Sequence, residues 1–372
     1  MTYDPFSRGV FPVGVKSDEW LDTSLDRTVS VEIWYPATEA FAGADLDPNT
    51  QDEFVPGWAA GDSTDEVELS RQAAVRNATA RTERYPLVLL VHGWAGFRRE
   101  ATFIGTHLAS HGYVVVSPDV PSSTFQDVDA FLNSQEPLGN AANLNAHLEE
   151  VALSRKNIVP FLISTAAEKL NALTEDVGIV GASFGGWTAL CAPAWDTRIA
   201  AIVPMCPANS MAPTVDPSSS ALDIDWAWNR PTPTLQLVAD RDALLPLYGQ
   251  LNAFRSIPVG AWKRMVILAN ADHNHFVDNI DVGQEWLREY AQRLSRLFPN
   301  GPAQWDVVAK TVVPAKDVCR GADAHVSWRG LTLAHLDAHL RGDQQALGLL
   351  SGNIEDLMAR HDVIVSTVGN HD

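Results

Sequence analysis

The chain has 372 residues and a formal net charge of −19, with 46% hydrophobic and 20% charged residues. This is a globular composition, long enough for one large α/β domain with insertions or for two ordinary domains. The acidic balance argues against nucleic acid and anionic membrane surfaces as partners, since both select for clustered Lys and Arg.

No run approaches the roughly 18 apolar residues of a membrane span. Cys191, Cys206 and Cys319 are too few and too unpatterned for a disulfide framework or a zinc site. Met1-Thr2-Tyr3-Asp4-Pro5 lacks a basic segment before an apolar core, so a reduced, cytoplasmic protein is expected.

Residues 12–36 alternate as two antiparallel strands, near 13–16 and 29–35, joined by a polar turn. Residues 36–84 are rich in Gly, Ala, Asp, Asn and Thr and read as a long surface excursion with one short helix near 66–77. A regular pattern begins at 85–91, a near-continuous apolar strand of the kind buried on both faces of a parallel sheet. A helix over 99–111 and a strand over 113–117 follow, then helical spacing over 144–170 and an apolar strand at 177–180. Further strands are expected at 199–205, 234–238 and 263–268, with helical material between them.

That alternation predicts an α/β fold with a doubly wound, mostly parallel sheet covered by helices on both faces. The connections 121–142 and 206–233 lie beyond the carboxyl ends of strands, where open α/β sheets build ligand sites, and read as small cap loops. From residue 282 the chain is helical again, with a polar break near 299–302 and a packed helix over 331–340. Residues 300–372 read as a carboxyl-terminal extension of one domain spanning 1–372.

Gly181-Ala182-Ser183-Phe184-Gly185 sits where strand 177–180 gives way to a helix. Gly-x-Ser-x-Gly in that context is a nucleophile elbow, a strained turn that exposes a serine hydroxyl. Serine is a weak nucleophile and needs a base and an acid, which on this architecture follow in chain order at later strand ends. The strand ending at residue 238 runs into Ala239-Asp240-Arg241-Asp242, and the strand 263–268 into Asp272-His273-Asn274-His275.

In this reading His273 takes the proton of Ser183, and Asp242 orients the imidazole. An oxyanion hole needs two backbone N–H groups, one just after the nucleophile and one from the loop after the first central strand. Phe184 supplies the first, and Trp94, in His92-Gly93-Trp94-Ala95-Gly96-Phe97-Arg98, the second.

These two motifs resemble the α/β-hydrolase fold. More narrowly the chain resembles the branch of platelet-activating-factor acetylhydrolases, dienelactone-hydrolase-like esterases and cutinase-like polyester hydrolases. Gly9–Gly14, Glu32-Ile33-Trp34-Tyr35-Pro36, Leu108-Ala109-Ser110-His111-Gly112-Tyr113 and His273-Asn274-His275-Phe276-Val277-Asp278 carry the rest of the likeness, which spans about residues 9–280. Dienelactone hydrolases proper use a cysteine nucleophile where this chain has Ser183. The acetylhydrolases place their acid after the strand that follows the nucleophile helix, where residues 205–212 hold no Asp or Glu. The acid therefore belongs after the next strand, and the spacing to Pro246 that the resembling family shows favours Asp242 over Asp240. The His-x-x-Phe-x-Asp register favours His273 over His275, which is left as a wall of the site.

Competing readings accompany several residues. His92 is expected to be structural, beneath the oxyanion loop. His335 and His339 stand one helical turn apart, but the lack of a suitably spaced third ligand favours packed helix histidines over a metal site. Asp278 either caps a helix or braces the histidine loop.

Trp94, Phe97, Trp187 and Phe276 are read as pocket aromatics, with Trp226 and Trp228 in the second cap loop. The expected activity is hydrolysis of a neutral, fairly apolar carboxylic ester through an acyl-enzyme, with no cofactor or metal. The partner is a small-molecule ester, with no nucleic acid or membrane. An amidase or carbamate hydrolase with the same triad, or a non-catalytic binding protein on the same fold, are the alternatives.

Overall fold

The sheet is organised by strands whose alternate residues enter two different cores. In a computed structural model describing residues 3–23, 26–57, 68–211, 220–299 and 305–369, Tyr85–Val91 forms strand β6, preceded by β1 Val13–Asp22, β2 Arg27–Pro36, β3 Asp52–Phe54, β4 Ser70–Gln72 and β5 Val75–Arg76. Leu87, Leu89 and Val91 point into one core, and Val88 and Leu90 into the other, as the two-residue pleat dictates. Strands β7 Val114–Pro118, β8 Ala172–Ala182, β9 Ile199–Met205, β10 Thr234–Ala239 and β11 Lys263–Leu268 continue the sheet, and β12 Val365–Gly369 closes one edge.

The order is β12-β11-β10-β9-β8-β6-β7-β2-β1-β5. The block from β7 through β6, β8, β9 and β10 to β11 is parallel, β1–β2, β2–β7 and β11–β12 are antiparallel, and the short edge strand β5 runs parallel to β1.

Helices α1 Thr102–Ser110, α2 Phe125–Ser134, α3 Ala141–Lys169, α4 Phe184–Trp195, α5 Leu247–Ser256 and α6 Ile280–Leu297 connect these strands, and α7 Trp305–Thr311, α8 Gly321–Leu340, α9 Gln344–Ser351 and α10 Ile354–Ala359 follow. Residues of α1 and α8, among them Ile104, Leu108, Trp328 and Leu331, fill one core. Residues of α3, α4 and α5, among them Ile158, Leu162, Leu190 and Phe254, fill the other. The parallel strands are therefore covered on both faces, which is why their sequences read as continuous apolar runs.

Three expectations change. The described part of the 66–77 segment forms β4 and β5 rather than a helix: Gln72 bonds Asp52 and Trp34 across the fold, and β5 pairs with β1. Tertiary pairing overrides local composition there; Glu66 and Val67 lie outside the described residues. The first cap connection contains α2, closed by a Thr124–Asp127 capping box. The carboxyl-terminal residues are part of the main body, because α8 packs against β8, β9, β10 and α1, and β12 extends the sheet.

Candidate active site

Ser183 stands between β8 and α4 with φ 54° and ψ −116°, a left-handed conformation that L-residues adopt only when the surroundings hold it. Its N–H donates to Met205 O at 2.9 Å, and its carbonyl accepts from Trp187 and Ala208. Glycines permit the turn. A Cβ on Gly185 would lie 1.9 Å from Val91 O, and one on Gly181 2.2 Å from Gly185 O.

Asp242 and His273 come from the loops after β10 and β11. Asp242 Oδ2 lies 2.8 Å from His273 Nδ1, and both side chains are buried. The other Asp242 oxygen accepts the N–H groups of Leu244 at 3.0 Å and Leu245 at 2.7 Å, which fixes the carboxylate. Burial works against protonating His273, but the charge and hydrogen bond of Asp242 outweigh it, so the imidazole pKa lies above its ordinary value. His273 and Ser183 line the same cleft.

The rival residues go elsewhere. Asp240 is exposed and accepts the N–H of Ala271 in the loop after β11. His275 bonds through Nδ1 to the Asp272 backbone and lies 3.2 Å through Nε2 from Cys319 O. It is held beneath the loop rather than forming the expected wall of the cleft. Asp278 serves both expected roles: it accepts from Thr102 and Phe103 at the start of α1, and its N–H donates to Glu100 O.

His335 and His339 pack against Trp262, and His335 Nε2 lies 3.2 Å from Pro233 O. Among the described residues, the cluster with metal-ligand character is Cys206, Asp242 and His273, whose donor atoms lie within 4.8 Å of one another. The aspartate and histidine atoms there are already bonded to each other. Burial and the Asp242 charge keep the Cys206 thiol neutral.

The loop after β6 is braced from below. His92 Nε2 accepts from Val120 N–H, which places the ring proton on Nδ1, 2.7 Å from Gly93 O. Burial and the nearby Arg155 charge push the His92 pKa down to about 3, so the ring is neutral. Gly93 N–H donates to Glu100 at 3.0 Å. A Cβ built on Gly93 would sit 3.2 Å from Ser183 Cβ, so this loop passes directly over the serine. Phe184 is the first residue of α4, where helix N–H groups have no partner within the helix.

The cleft, about 900 Å³ with its open mouth, is lined by Trp94, Phe97, Phe125, Phe276, Trp286 and Tyr290 beside Ser183 and His273. Trp94 donates from its indole to His147 at 3.1 Å and meets Tyr290 edge-on. Phe276 meets the His273 ring edge-on at 5.5 Å. Trp187 does not line this cleft: it is buried against Phe184 and Trp195, and its indole donates to Asp223 O.

The described part of 206–233 also contributes nothing to the cleft, whose far wall comes instead from α6 and α7 through Trp286, Tyr290 and Trp305. Sequence reading missed these. The signal available was the Trp286–Tyr290 spacing of four on an amphipathic helix, which places both rings on one face.

The family model of the alpha/beta hydrolase family matches residues 88–363. The chain belongs to the alpha/beta hydrolase family. A second family model, platelet-activating factor acetylhydrolase, isoform II, matches residues 4–123.

This alpha/beta hydrolase is 24% identical over 221 residues to Cutinase 2 of Thermobifida cellulosilytica, covering 57% of this chain and 71% of that protein. It is 24% identical over 221 residues to Cutinase cut1 of Thermobifida fusca, covering 57% of this chain and 58% of that protein. Its fold is similar to the structure of a ferulic acid esterase from Streptomyces cinnamoneus, with TM-score 0.55, 20% identity and coverage of 90% of this chain and 94% of that one.

Proposed function

We propose that this alpha/beta hydrolase cleaves a carboxylic ester through a Ser183–His273–Asp242 triad. The observation that carries the reading is the 2.8 Å Asp242–His273 bond at a cleft that His273 and the strained Ser183 share. The Ser183 hydroxyl attacks the ester carbonyl carbon while His273 Nε2 takes its proton. The oxyanion faces the N–H groups of Trp94 and Phe184. The carbonyl–alkoxy bond then breaks and the alcohol leaves with the proton from His273. Water, deprotonated by the same nitrogen, attacks the acyl-enzyme, and the carboxylic acid departs as Ser183 recovers its proton.

The reaction so written uses only side chains, backbone and water. The aromatic lining of the cleft and the chain's net charge of −19 favour a neutral, fairly apolar small-molecule ester. The similarity to two cutinases supports an ester over an amide bond. Among the described residues no helix is long and apolar enough to cross a membrane. The three cysteines are free, which fits a reducing cytoplasm.

Fluorophosphonate labelling, with p-nitrophenyl esters of increasing acyl length run beside an anilide, tests the reading. Labelling with ester turnover is the expected result. Preferential anilide cleavage would make the protein an amidase, and neither labelling nor turnover would make it a binding protein.

A further inference from the structure

Arg155, on α3, is fully buried, and no acidic side chain forms an ion pair with it among the described residues. Its fork is spent on the loop that passes over Ser183. Nη1 donates to His92 O at 2.8 Å, and Nη2 donates to Gly93 O at 2.9 Å and Ser123 Oγ at 2.6 Å. A longer contact of 3.4 Å reaches Thr188 Oγ1 on α4. The guanidinium carbon lies 4.8 Å from the centre of the Phe184 ring, over its face. One cation thus touches both segments that carry the two oxyanion donors. Burial lowers its pKa to about 9, with Glu100 opposing the shift, so it stays charged at neutral pH.

The consequence follows from peptide geometry. In a trans peptide the carbonyl and the N–H point to opposite edges of one plane. Gly93 O and Trp94 N–H share a peptide, and that oxygen is held by Arg155 and by His92 Nδ1. The Trp94 N–H is therefore turned away from the buried cation, on a loop that runs directly over Ser183. The preceding peptide is clamped at both edges, its carbonyl by Arg155 and its N–H by Glu100. A cation on the carbonyl also draws density out of the amide, which strengthens the N–H as a donor.

We propose that Arg155 is a positioning residue for the oxyanion hole: it aims and polarises the Trp94 N–H and sets it against Phe184. This rests on the triad reading above. Lysine is a poor substitute, because a single ammonium cannot present the planar fork that spans two successive carbonyls. A residue that merely filled space would leave the chemical step untouched in the folded fraction.

The test compares wild type with Arg155→Lys, Arg155→Met and Ser123→Ala, counting active sites by fluorophosphonate titration. Removing an oxyanion donor outright costs about 10²–10³ in kcat, so misaiming one should cost roughly 10–100-fold in kcat per titrated site, with KM within about twofold. Affinity for an aryl boronic acid, which places an anionic tetrahedral oxygen in the hole, should fall in step with kcat/KM. Ser123→Ala, which removes one Arg155 partner and leaves the cation, should give a smaller loss of the same kind and serves if the Arg155 variants do not fold.

Unchanged kcat per titrated site in all folded variants overturns the proposal, as does an equal loss of substrate and boronate affinity with kcat intact. A wild type that neither labels nor binds the boronate refutes the triad reading itself, a different outcome from these.

Discussion

Asp272 accepts the N–H of Ala243 at 2.9 Å, so the loop carrying His273 is tied to the loop carrying Asp242. The same oxygen accepts from His273 N–H at 2.7 Å, and the other accepts from Gln284 on α6 at 2.8 Å. Its charge also contributes to raising the His273 pKa. Asp272→Asn should therefore lower kcat by about tenfold through loosened loop geometry and move the acid limb of kcat/KM to lower pH. A pH profile of the variant beside wild type checks both; an acid limb that stays put would show that Asp272 acts only on the backbone.

Ser183→Ala should abolish fluorophosphonate labelling and at least about 10³ of kcat while the protein stays folded. His273→Ala should be as damaging, because the two residues act as a unit, whereas His275→Ala should act mainly on stability, since its ring is spent on backbone groups. Asp242→Asn should cost about 10³–10⁴ in kcat by misorienting the imidazole, and Asp240→Asn little. Steady-state kinetics of the five variants ranks them, and a reversed order within the histidine pair or the aspartate pair would move the site by two residues.

The pH dependence has a definite sign. Burial alone would lower the His273 pKa, but Asp242 reverses this, and the result is raised above the ordinary value of about 6.5. His273 must be neutral to accept the Ser183 proton, so kcat/KM should rise with pH through a midpoint above about 6.5 and then level off. For stability, a raised histidine pKa contributes fully below its unfolded value, and the contribution is lost as pH rises through the folded one. The Asp242–His273 pair should thus stabilise the fold more at mildly acidic pH, checked by denaturant midpoints across that range for wild type and His273→Ala.

Trp94 and Trp187 should respond oppositely to truncation. Trp94 lines the cleft and its backbone N–H survives substitution, so Trp94→Ala should raise KM for aryl esters by about 10–200-fold with a smaller effect on acetyl esters. Trp187 is buried away from the cleft with its indole bonded to Asp223 O, so Trp187→Ala should cost about 3–5 kcal/mol of stability and leave ester selectivity unchanged. Thermal melting together with kcat/KM for two esters of different size separates the two behaviours.

The sequence was sufficient where chemistry and period coincide locally. The apolar run at β6, the glycines around Ser183, and an acid and a histidine directly beyond β10 and β11 are each readable within a few residues, because a buried parallel strand and a tight elbow admit few residue types. The preference for Asp242 and His273 over their neighbours rested on the register of the resembling family, and in the structure a 2.8 Å bond joins those two side chains.

Tertiary structure decided what depends on distant segments meeting. Strands β4 and β5 form where composition suggested a helix, because partners on β3 and β1 satisfy their backbone groups. The cleft is walled by α6 and α7 rather than by the second cap connection, and Trp187 turns from pocket to core. Arg155 lies 62 residues from Gly93 and 32 from Ser123. Nothing in its local sequence marks it, since a lone arginine on a long helix looks solvated until the fold buries its guanidinium beneath the loop over Ser183.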